Sequence, residues 1–329
     1  MKLRVAVLYG GRSGEHEISL RSAESVIAAM DPSKYEVERI LITQEGRWEP
    51  RAISPDPCAN HGIDVVFPVL HGTFGEDGTV QGLLELANLP YVGAGVLASS
   101  VSMDKEIMKR LCIERGLPVA DFMTVYRGQA NLDDICARLP FPMFVKPANL
   151  GSSVGISKVK SREELGAALA FAGRYDRKVI VERGIAGREF ECSVLGNHDP
   201  QAAIPCEVLP SREFYDYEDK YVLGTSKTVL PADLSVEQTS EIQRLAVACY
   251  KTVECAGMAR VDFLLETATG KFFINEINTI PGFTSISMYP KMWEAAGLPY
   301  AKLIDRLIEL ALERHQERQG TAYRKDAGR

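Results

Sequence analysis

The run Met258–Ser287, MARVDFLLETATGKFFINEINTIPGFTSIS, constrains this chain more than any other stretch. Ala259–Glu266 and Lys271–Ile277 read as apolar strands, and Thr267-Ala268-Thr269-Gly270 between them is rich in turn residues, so a β-hairpin is predicted. Side chains alternate across a strand, so Glu276 and Asn278 share a face. A register that sets Asp262 opposite Glu276 brings Asp262 and Arg260 to the same face. Phe263, Leu265, Phe273 and Ile277 would then fill the other face, with Leu264, Phe272 and Ile274 flanking the carboxylates. Acidic groups within so apolar a hairpin are costly unless something neutralises them. Two carboxylates and an amide oxygen make a hard, oxygen-only donor set, the kind that holds Mg²⁺ against phosphate oxygens. The plain alternative for three such residues is a solvated sheet face.

At 329 residues the chain exceeds one ordinary core, and two or three domains are expected. Its net charge of −6 supplies no basic field, which argues against a nucleic-acid partner. Seven scattered cysteines, with no C-x-x-C and an odd total, favour reduced thiols in a cytosol over disulfides or a zinc site. The opening MKLRVAVLYGG has a short apolar run interrupted by Arg4 and reads as a first strand, not a signal peptide. No stretch is long enough to span a membrane. A cytoplasmic protein without a membrane partner is therefore expected.

Leu3–Tyr9 is a β-branched strand, followed by a helix from about His16 to Met30, strands at Val37–Thr43 and Ile63–Leu70, a helix at Thr79–Asn88 and a short strand at Tyr91-Val92. Alternating strand and helix predict a doubly wound parallel sheet. The glycines after the first strand lack the G-x-G-x-x-G spacing, and no acidic residue closes the second strand, which excludes the dinucleotide reading. That turn would instead bring Glu15 to the carboxyl edge of the sheet, although an acid there also compensates a helix dipole. Gly93–Ser100 is small and reads as a domain boundary. The helix predicted from Ser102 to about Arg115 puts Lys105 in its first turn, where a cation opposes the dipole unless a phosphate is held there.

Lys146-Pro147 closes a strand, and Ala148–Gly155 is a Gly/Ser loop whose backbone N–H groups suit phosphates. The lysine precedes the loop, so this is not a Walker A sequence. Ser161–Glu164 has the form of a capping box opening a helix. Strands are predicted at Val179–Ile185, Glu189–Leu195 and Ala203–Leu209. Ser211–Thr228 is aromatic and charged with no period, the character of a lid. Helices are expected at Val236–Cys255, Met288–Ala296 and Pro299–Gln319, with a frayed tail after them.

Taken in order, these motifs resemble the D-alanine–D-alanine ligases of the ATP-grasp superfamily. The likeness is carried by GG-x-S-x-E at Gly10–Glu15, the loop His71–Gly78, Ser102-Met103-Asp104-Lys105, Lys146–Gly155, E-x-K-Y at Glu218–Tyr221 and Asn278–Ser287, and it covers nearly the whole chain. The implied fold is α/β, a three-domain ATP-grasp architecture with an N-terminal doubly wound parallel sheet. Its parts would be an N-terminal substrate domain over 1–95, a central ATP-grasp domain over 96–182, a C-terminal ATP-grasp domain over 183–319 carrying the metal site and ω-loop, and a tail over 320–329. The implied chemistry is phosphorylation of one D-alanine carboxylate by ATP and attack of a second D-alanine amine on the acyl phosphate, for peptidoglycan synthesis.

The resemblance assigns roles position by position. Glu15 would orient the first substrate near its ammonium and close the site in a trio with Ser152 and Tyr221. His71 and Ser287 would be substrate-binding, Ser287 through the second substrate's carboxylate. The residues also leave His71 open to a structural hydrogen bond. Arg260 and the N–H of Gly282 would bind the tetrahedral oxyanion. Lys105, Lys146, Ser152, Ser153 and Lys220 would bind ATP, with Glu182 and the backbone at Arg183 and Ile185 on adenine and Glu189 on ribose. Asp262, Glu276 and Asn278 would hold Mg²⁺ or Mn²⁺, as two ions. A homodimer is also implied. Two rivals share the fold, making D-alanyl-D-serine or D-alanyl-D-lactate. Depsipeptide-forming relatives commonly carry histidine where this chain has Tyr221, which stays neutral up to a pKa of about 10. A regulator without turnover would be expected to have lost a metal carboxylate or phosphate lysine, and this chain keeps them.

Overall fold

A computed structural model describes residues 2–151, 154–209, 227–284 and 286–322. Ser152, Ser153, Lys220, Tyr221 and nearly all of the expected lid lie outside the described residues, as does most of the tail.

The first sheet is built from β1 (Leu3–Gly10), β2 (Tyr35–Ile42), β3 (Trp48–Glu49) and β4 (Val65–Val69), in the order β3-β2-β1-β4. β1 pairs in parallel with β2 and β4, as strand–helix alternation predicts, and β3 joins the edge antiparallel. Tyr91 makes only an isolated bridge to Val66. Alternate residues of β1 face opposite ways: Val5 and Val7 pack with Ala23 and Val26 of α1 (His16–Ala29). Ala6 and Leu8 pack with Val80 and Leu84 of α2 (Thr79–Leu86). Both faces are covered, which is the doubly wound arrangement. At the carboxyl end of β1, Gly10 turns at φ +88°, a left-handed conformation that only glycine adopts freely.

Within Gly93–Ser100 the chain becomes helical from the fourth residue. α3 (Val96–Met103) runs directly into α4 (Lys105–Glu114), broken only at Asp104. The Asp104 carboxylate accepts from the backbone N–H of Glu106 at 3.1 Å and of Ile107 at 3.2 Å, so α4 starts at Lys105 and not at Ser102. The second sheet comprises β5 (Phe122–Tyr126), β6 (Met143–Pro147), β7 (Ser157–Val159) and β8 (Lys178–Arg183), antiparallel in the order β5-β8-β6-β7. Its helices are α5 (Leu132–Arg138) and α6 (Arg162–Ala172). The predicted capping box does not form at Ser161. Glu164 reaches one residue further back and accepts from Lys160 N–H at 2.7 Å.

The third sheet holds β9 (Gly187–Gly196), β10 (Gln201–Ala202), β11 (Cys206–Leu209), β12 (Lys227–Val229), β13 (Gly257–Glu266) and β14 (Phe272–Asn278). Their order is β12-β11-β9-β13-β14, with β10 on β9. β12 takes up Lys227 and Thr228, the last two residues of the expected lid. α7 (Val236–Thr252) opens with a complete capping box between Ser235 and Gln238. After α8 (Met288–Ala295), α9 (Tyr300–Gln319) returns to the first sheet, where Leu303 and Leu307 join Val7 and Phe67 in one core. The end of the chain is thus welded to its beginning, and that brings the turn after β14 against the loops at the carboxyl edge of β1 and β4.

Candidate active site

The hairpin β13–β14 has the register expected at its chemistry: Asp262 lies opposite Glu276 and Arg260 opposite Asn278. Beyond that point a bulge intervenes, because Phe263 pairs with Ile274 and Asn275 is left over. The bulge reverses the inward face. Phe272 and Ile274 are buried with Phe263, Leu265 and Ile277, while Phe273 is only half-buried, so the expected placement of Phe272, Ile274 and Phe273 is corrected. It also turns Asn275 towards the charged side, where its Oδ1 accepts from Lys146 Nζ at 3.3 Å.

Arg260 grips Asp262 with two hydrogen bonds of 2.7 and 2.6 Å and reaches Glu191 at 3.4 Å. Glu191 stands opposite Asp262 on β9, a carboxylate on this face that strand reading alone did not single out. Burial opposes the charge of Arg260, but Asp262, Glu191 and Glu276 outweigh it and hold the guanidinium protonated well above its usual range. Glu189 lies two residues from Glu191 on the same strand, opposite Leu264.

Lys105, the first residue of α4, links two parts of the site. Its Nζ donates to the Leu150 carbonyl in the Gly/Ser loop at 2.7 Å and lies 3.5 Å from Glu276 Oε2. Its backbone N–H also donates to Ala148 O at 3.0 Å, so the loop and the start of α4 are fastened together. Lys146, on β6, sits 2.6 Å from Glu182 on the neighbouring β8. Glu182 has a second cation on its other oxygen: Lys109 Nζ is 3.0 Å away, in a side chain only 1% exposed. Burial would raise the Glu182 carboxyl, yet Lys109 and Lys146 together hold it below the ordinary glutamate value. Burial pulls the Lys109 ammonium below its usual lysine value. Lys109 was missed because a lysine at helical spacing from Lys105 reads as an exposed one. The Arg183 side chain is engaged with Glu266 at 2.7 Å, and its N–H donates to Asp121 O, while Ile185 follows just beyond the end of β8.

Glu15 ends the turn after β1 as the residue preceding α1, and its N–H donates to Ser13 Oγ at 3.2 Å. Ser13 in turn donates to the His71 carbonyl at 2.6 Å. Gly72 sits at φ +73°, and a Cβ there would come within 2.5 Å of Glu15 Oε2, so glycine is required for the carboxylate to lie against that loop. A cavity of about 150 Å³ opens beside it, lined by Ser13, Glu15, Gly72, Thr73, Leu150 and Gly151. It is walled by the turn after β1 on one side and the Gly/Ser loop on the other. A larger groove of about 870 Å³ lies between the end of α4 and β5 and is lined by none of these residues.

His71 is buried with both ring nitrogens engaged. Nδ1 donates to the Ile280 carbonyl at 2.9 Å, which leaves Nε2 to accept from Ser22 Oγ at 3.1 Å. Burial holds the imidazole below its ordinary value, which keeps this neutral tautomer. Of the two uses left open for His71, the structural hydrogen bond is the one seen. Glu76, also buried, accepts from Gly72 N–H at 2.7 Å and from Ile280 N–H at 3.3 Å. Burial, and then the nearby Glu15, push its carboxyl well above the usual range. Asn278 Oδ1 shares the Ile280 N–H at 3.2 Å. Ser287 precedes α8 and its Oγ lies 2.7 Å from Thr284 Oγ1; a side chain on Gly282 would press on that same Ser287 oxygen.

Among the described residues no group of three or more histidine, cysteine or acidic side chains forms a ready metal cage. The donor set on the hairpin is two carboxylates and an amide, with neighbouring cations, and it fits a hard divalent ion whose shell is completed by phosphate oxygens.

Two family models together span most of the chain: the D-ala D-ala ligase N-terminus over residues 4–60 and 52–94, and the D-ala D-ala ligase C-terminus over residues 111–309. The chain is 67% identical over 323 residues to the D-alanine–D-alanine ligase of Solibacter usitatus, covering 98% of this chain and 99% of that one. It is 49% identical over 355 aligned positions to the ligase of the same name from Thermoanaerobacter sp., with 96% and 98% covered. Among solved structures, the D-alanine–D-alanine ligase of Coxiella burnetii superimposes with a TM-score of 0.87 at 42% identity, covering 97% of this chain and 96% of that one. The VanG D-Ala:D-Ser ligase of Enterococcus faecalis also superimposes with a TM-score of 0.87, at 37% identity, with 94% and 100% covered.

Proposed function

The chain belongs to the D-alanine–D-alanine ligase family, and on that premise we propose how its residues carry out the reaction. It is an ATP-dependent ligase that joins two D-alanines for cell-wall synthesis. The observation that carries the assignment of roles is Lys105, which bridges the Gly/Ser loop at Leu150 and the carboxylate of Glu276. A triphosphate lying along the loop would meet Lys105 and Lys146 on one side and the hairpin on the other.

The first D-alanine occupies the cavity beside Glu15, whose carboxylate faces the ammonium. Its carboxylate takes the γ-phosphoryl group of ATP, turning a poor leaving group into phosphate. The amine of the second D-alanine then attacks the acyl carbon, the tetrahedral oxyanion is met by Arg260 and the Gly282 N–H, and phosphate departs. One preorganised donor of this kind contributes about 3 kcal/mol to the transition state. Ser287 binds the carboxylate of the second substrate. Glu182 and the backbone at Arg183 and Ile185 face adenine, and Glu189 the ribose. Asp262, Glu276 and Asn278 would hold Mg²⁺ or Mn²⁺, as two ions, which when bound neutralise charge on the phosphate oxygens. His71 acts on the substrates indirectly, since both its nitrogens are occupied. Three units built on the three sheets, over 1–95, 96–182 and 183–319, a homodimer and a cytoplasmic location complete the proposal. No helix among the described residues is long and apolar enough to cross a membrane.

The VanG structure carries a D-Ala:D-Ser description on the same fold, so the fold alone does not select the second substrate. Incubation with ATP, Mg²⁺ and D-alanine, D-serine or D-lactate, with products identified by mass, tests the assignment. The expected result is D-alanyl-D-alanine as main product with ADP formed in equal amount. ADP without any dipeptide or depsipeptide would overturn it.

A further inference from the structure

Three hydrogen bonds tie the short turn that follows β14 to segments more than 200 residues earlier in sequence. His71 Nδ1–H donates to the carbonyl of Ile280, while Glu76 accepts from the N–H of the same residue. One peptide segment is therefore held at both its polar ends by one loop. Ser22, fully buried on α1, accepts from Phe283 N–H at 3.4 Å and donates to His71 Nε2, closing the network. The directions are consistent: the Ile280 N–H is shared between Glu76 and Asn278, Ser22 Oγ accepts once and donates once, and the imidazole needs only its neutral form. The other oxygen of Glu76 takes the N–H of Gly72, the residue whose Cα packs against the Glu15 carboxylate.

We propose that Glu76, His71 and Ser22 are positioning residues that lock the turn Thr279–Phe283, and with it the Gly282 N–H, in fixed relation to the pocket of the first D-alanine. The proposal rests on the ligase reading above and on Gly282 as an oxyanion donor. Its consequence concerns the second half of the reaction. Phosphorylation of the first carboxylate depends on the lysines and on the carboxylates of the hairpin; of the hairpin's polar groups the network reaches only Asn278, through the shared Ile280 N–H. Aminolysis depends on donors standing at the acyl carbon, and a displacement of about 1 Å can cost on the order of 100-fold. When the turn loosens, the acyl phosphate survives long enough for water to attack its carbonyl carbon. The bond to phosphate breaks, D-alanine is regenerated and inorganic phosphate is released, so ATP is spent without a dipeptide.

The readout is the ratio of ADP to dipeptide, which a smaller folded fraction does not alter. Wild type, Glu76→Ala, Glu76→Gln and Ser22→Ala are assayed with ATP, Mg²⁺ and saturating D-alanine, with the fold checked by circular dichroism. Wild type should give a ratio of one. In Glu76→Ala and Ser22→Ala the ratio should rise several-fold as dipeptide formation falls roughly 10- to 100-fold. Glu76→Gln, which keeps one acceptor oxygen, should lie between. Ser22→Ala removes a single hydroxyl, so it decides the matter even where Glu76→Ala fails to fold. A ratio that stays at one in the folded variants, whatever their rate, overturns the proposal. A wild type that makes no dipeptide instead overturns the ligase reading.

Discussion

Lys109 Nζ lies 3.0 Å from Glu182 Oε1, in a contact that leaves both side chains almost without solvent. A lone charge of either sign would be untenable there. The pair survives because Lys146 takes the other oxygen of Glu182 at 2.6 Å. Removing Glu182 from such a cluster leaves two buried cations uncompensated. Glu182→Met should therefore destabilise the fold by about 3 kcal/mol, whereas Lys109→Met, which leaves the neutral Glu182–Lys146 pair, should cost less. Chemical denaturation of both variants measures this. A loss below about 1 kcal/mol for Glu182→Met would show that the cluster does not hold these elements together.

The same cluster gives stability a pH dependence of known sign. Glu182 titrates below its ordinary value in the folded chain because its two lysines outweigh burial. As pH falls, the unfolded chain takes up this proton first, so the stabilisation is complete above about pH 5 and is lost progressively below about 4.3. Lys109 adds a slope of the same sign in the alkaline range. Burial lowers its value, so the unfolded chain holds the extra proton and stability gains as pH climbs towards about 10.4. Urea midpoints between pH 3.5 and 6 should fall less steeply with acid in Glu182→Gln than in wild type. Identical slopes would contradict the assignment.

Glu276→Gln tests the hairpin as the metal and phosphate platform. The substitution keeps shape and register opposite Asp262 but removes the charge that faces Lys105. Turnover should fall on the order of 100-fold, partly restored by excess Mg²⁺, while the circular-dichroism spectrum is unchanged. Turnover near that of wild type at low Mg²⁺ would remove Glu276 from the ligand set.

Acceptor choice is predicted from Tyr221. A neutral phenol imposes no charge bias near pH 7, whereas protonated histidine would favour a lactate carboxylate over an ammonium substrate. D-Alanine should outcompete D-lactate in wild type from about pH 6 to 9, and Tyr221→His should shift the ratio towards D-lactate at the acid end. Efficient coupling of D-lactate by wild type would reverse the assignment. An unchanged ratio in the variant would take acceptor selection away from Tyr221.

Short-range rules carried the hairpin and the N-terminal sheet because both depend on alternation. Strand parity puts Glu276 and Asn278 on one face, and parallel strands follow from the intervening helices; Asp262 meets Glu276 only through the bulge, since the turn-end register of Leu265 with Phe272 run on unbroken would set it opposite Asn275. Parity fails where a residue is inserted. The bulge at Asn275 swaps Phe273 for Phe272 and Ile274 in the core, and no local signal marks it. Small residues at Gly93–Ser100 gave no sign of the helix α3 that starts at Val96, where Ala98 and Ser99 are buried. Lys109, Glu191 and the Ser22–His71–Glu76 network depend on long-range packing. Only the return of α9 to the first sheet brings Ile280 beside His71, and nothing in either segment announces the other. The Ser235–Gln238 capping box is different: S-x-x-Q before an apolar run is a local signal, whereas the Ser161 hydroxyl makes no cap bond.

The central claim is that the two D-alanines are joined through an acyl phosphate formed in the site between Glu15, Arg260 and the lysines. Oxygen-18 in the carboxylate of D-alanine follows that path directly. If the carboxylate attacks the γ-phosphorus and phosphate later leaves, one labelled oxygen must pass from D-alanine to phosphate for each dipeptide made. Mass analysis of the released phosphate after a run with ATP, Mg²⁺ and labelled D-alanine should show that transfer in step with D-alanyl-D-alanine. Dipeptide formation with unlabelled phosphate would contradict the account.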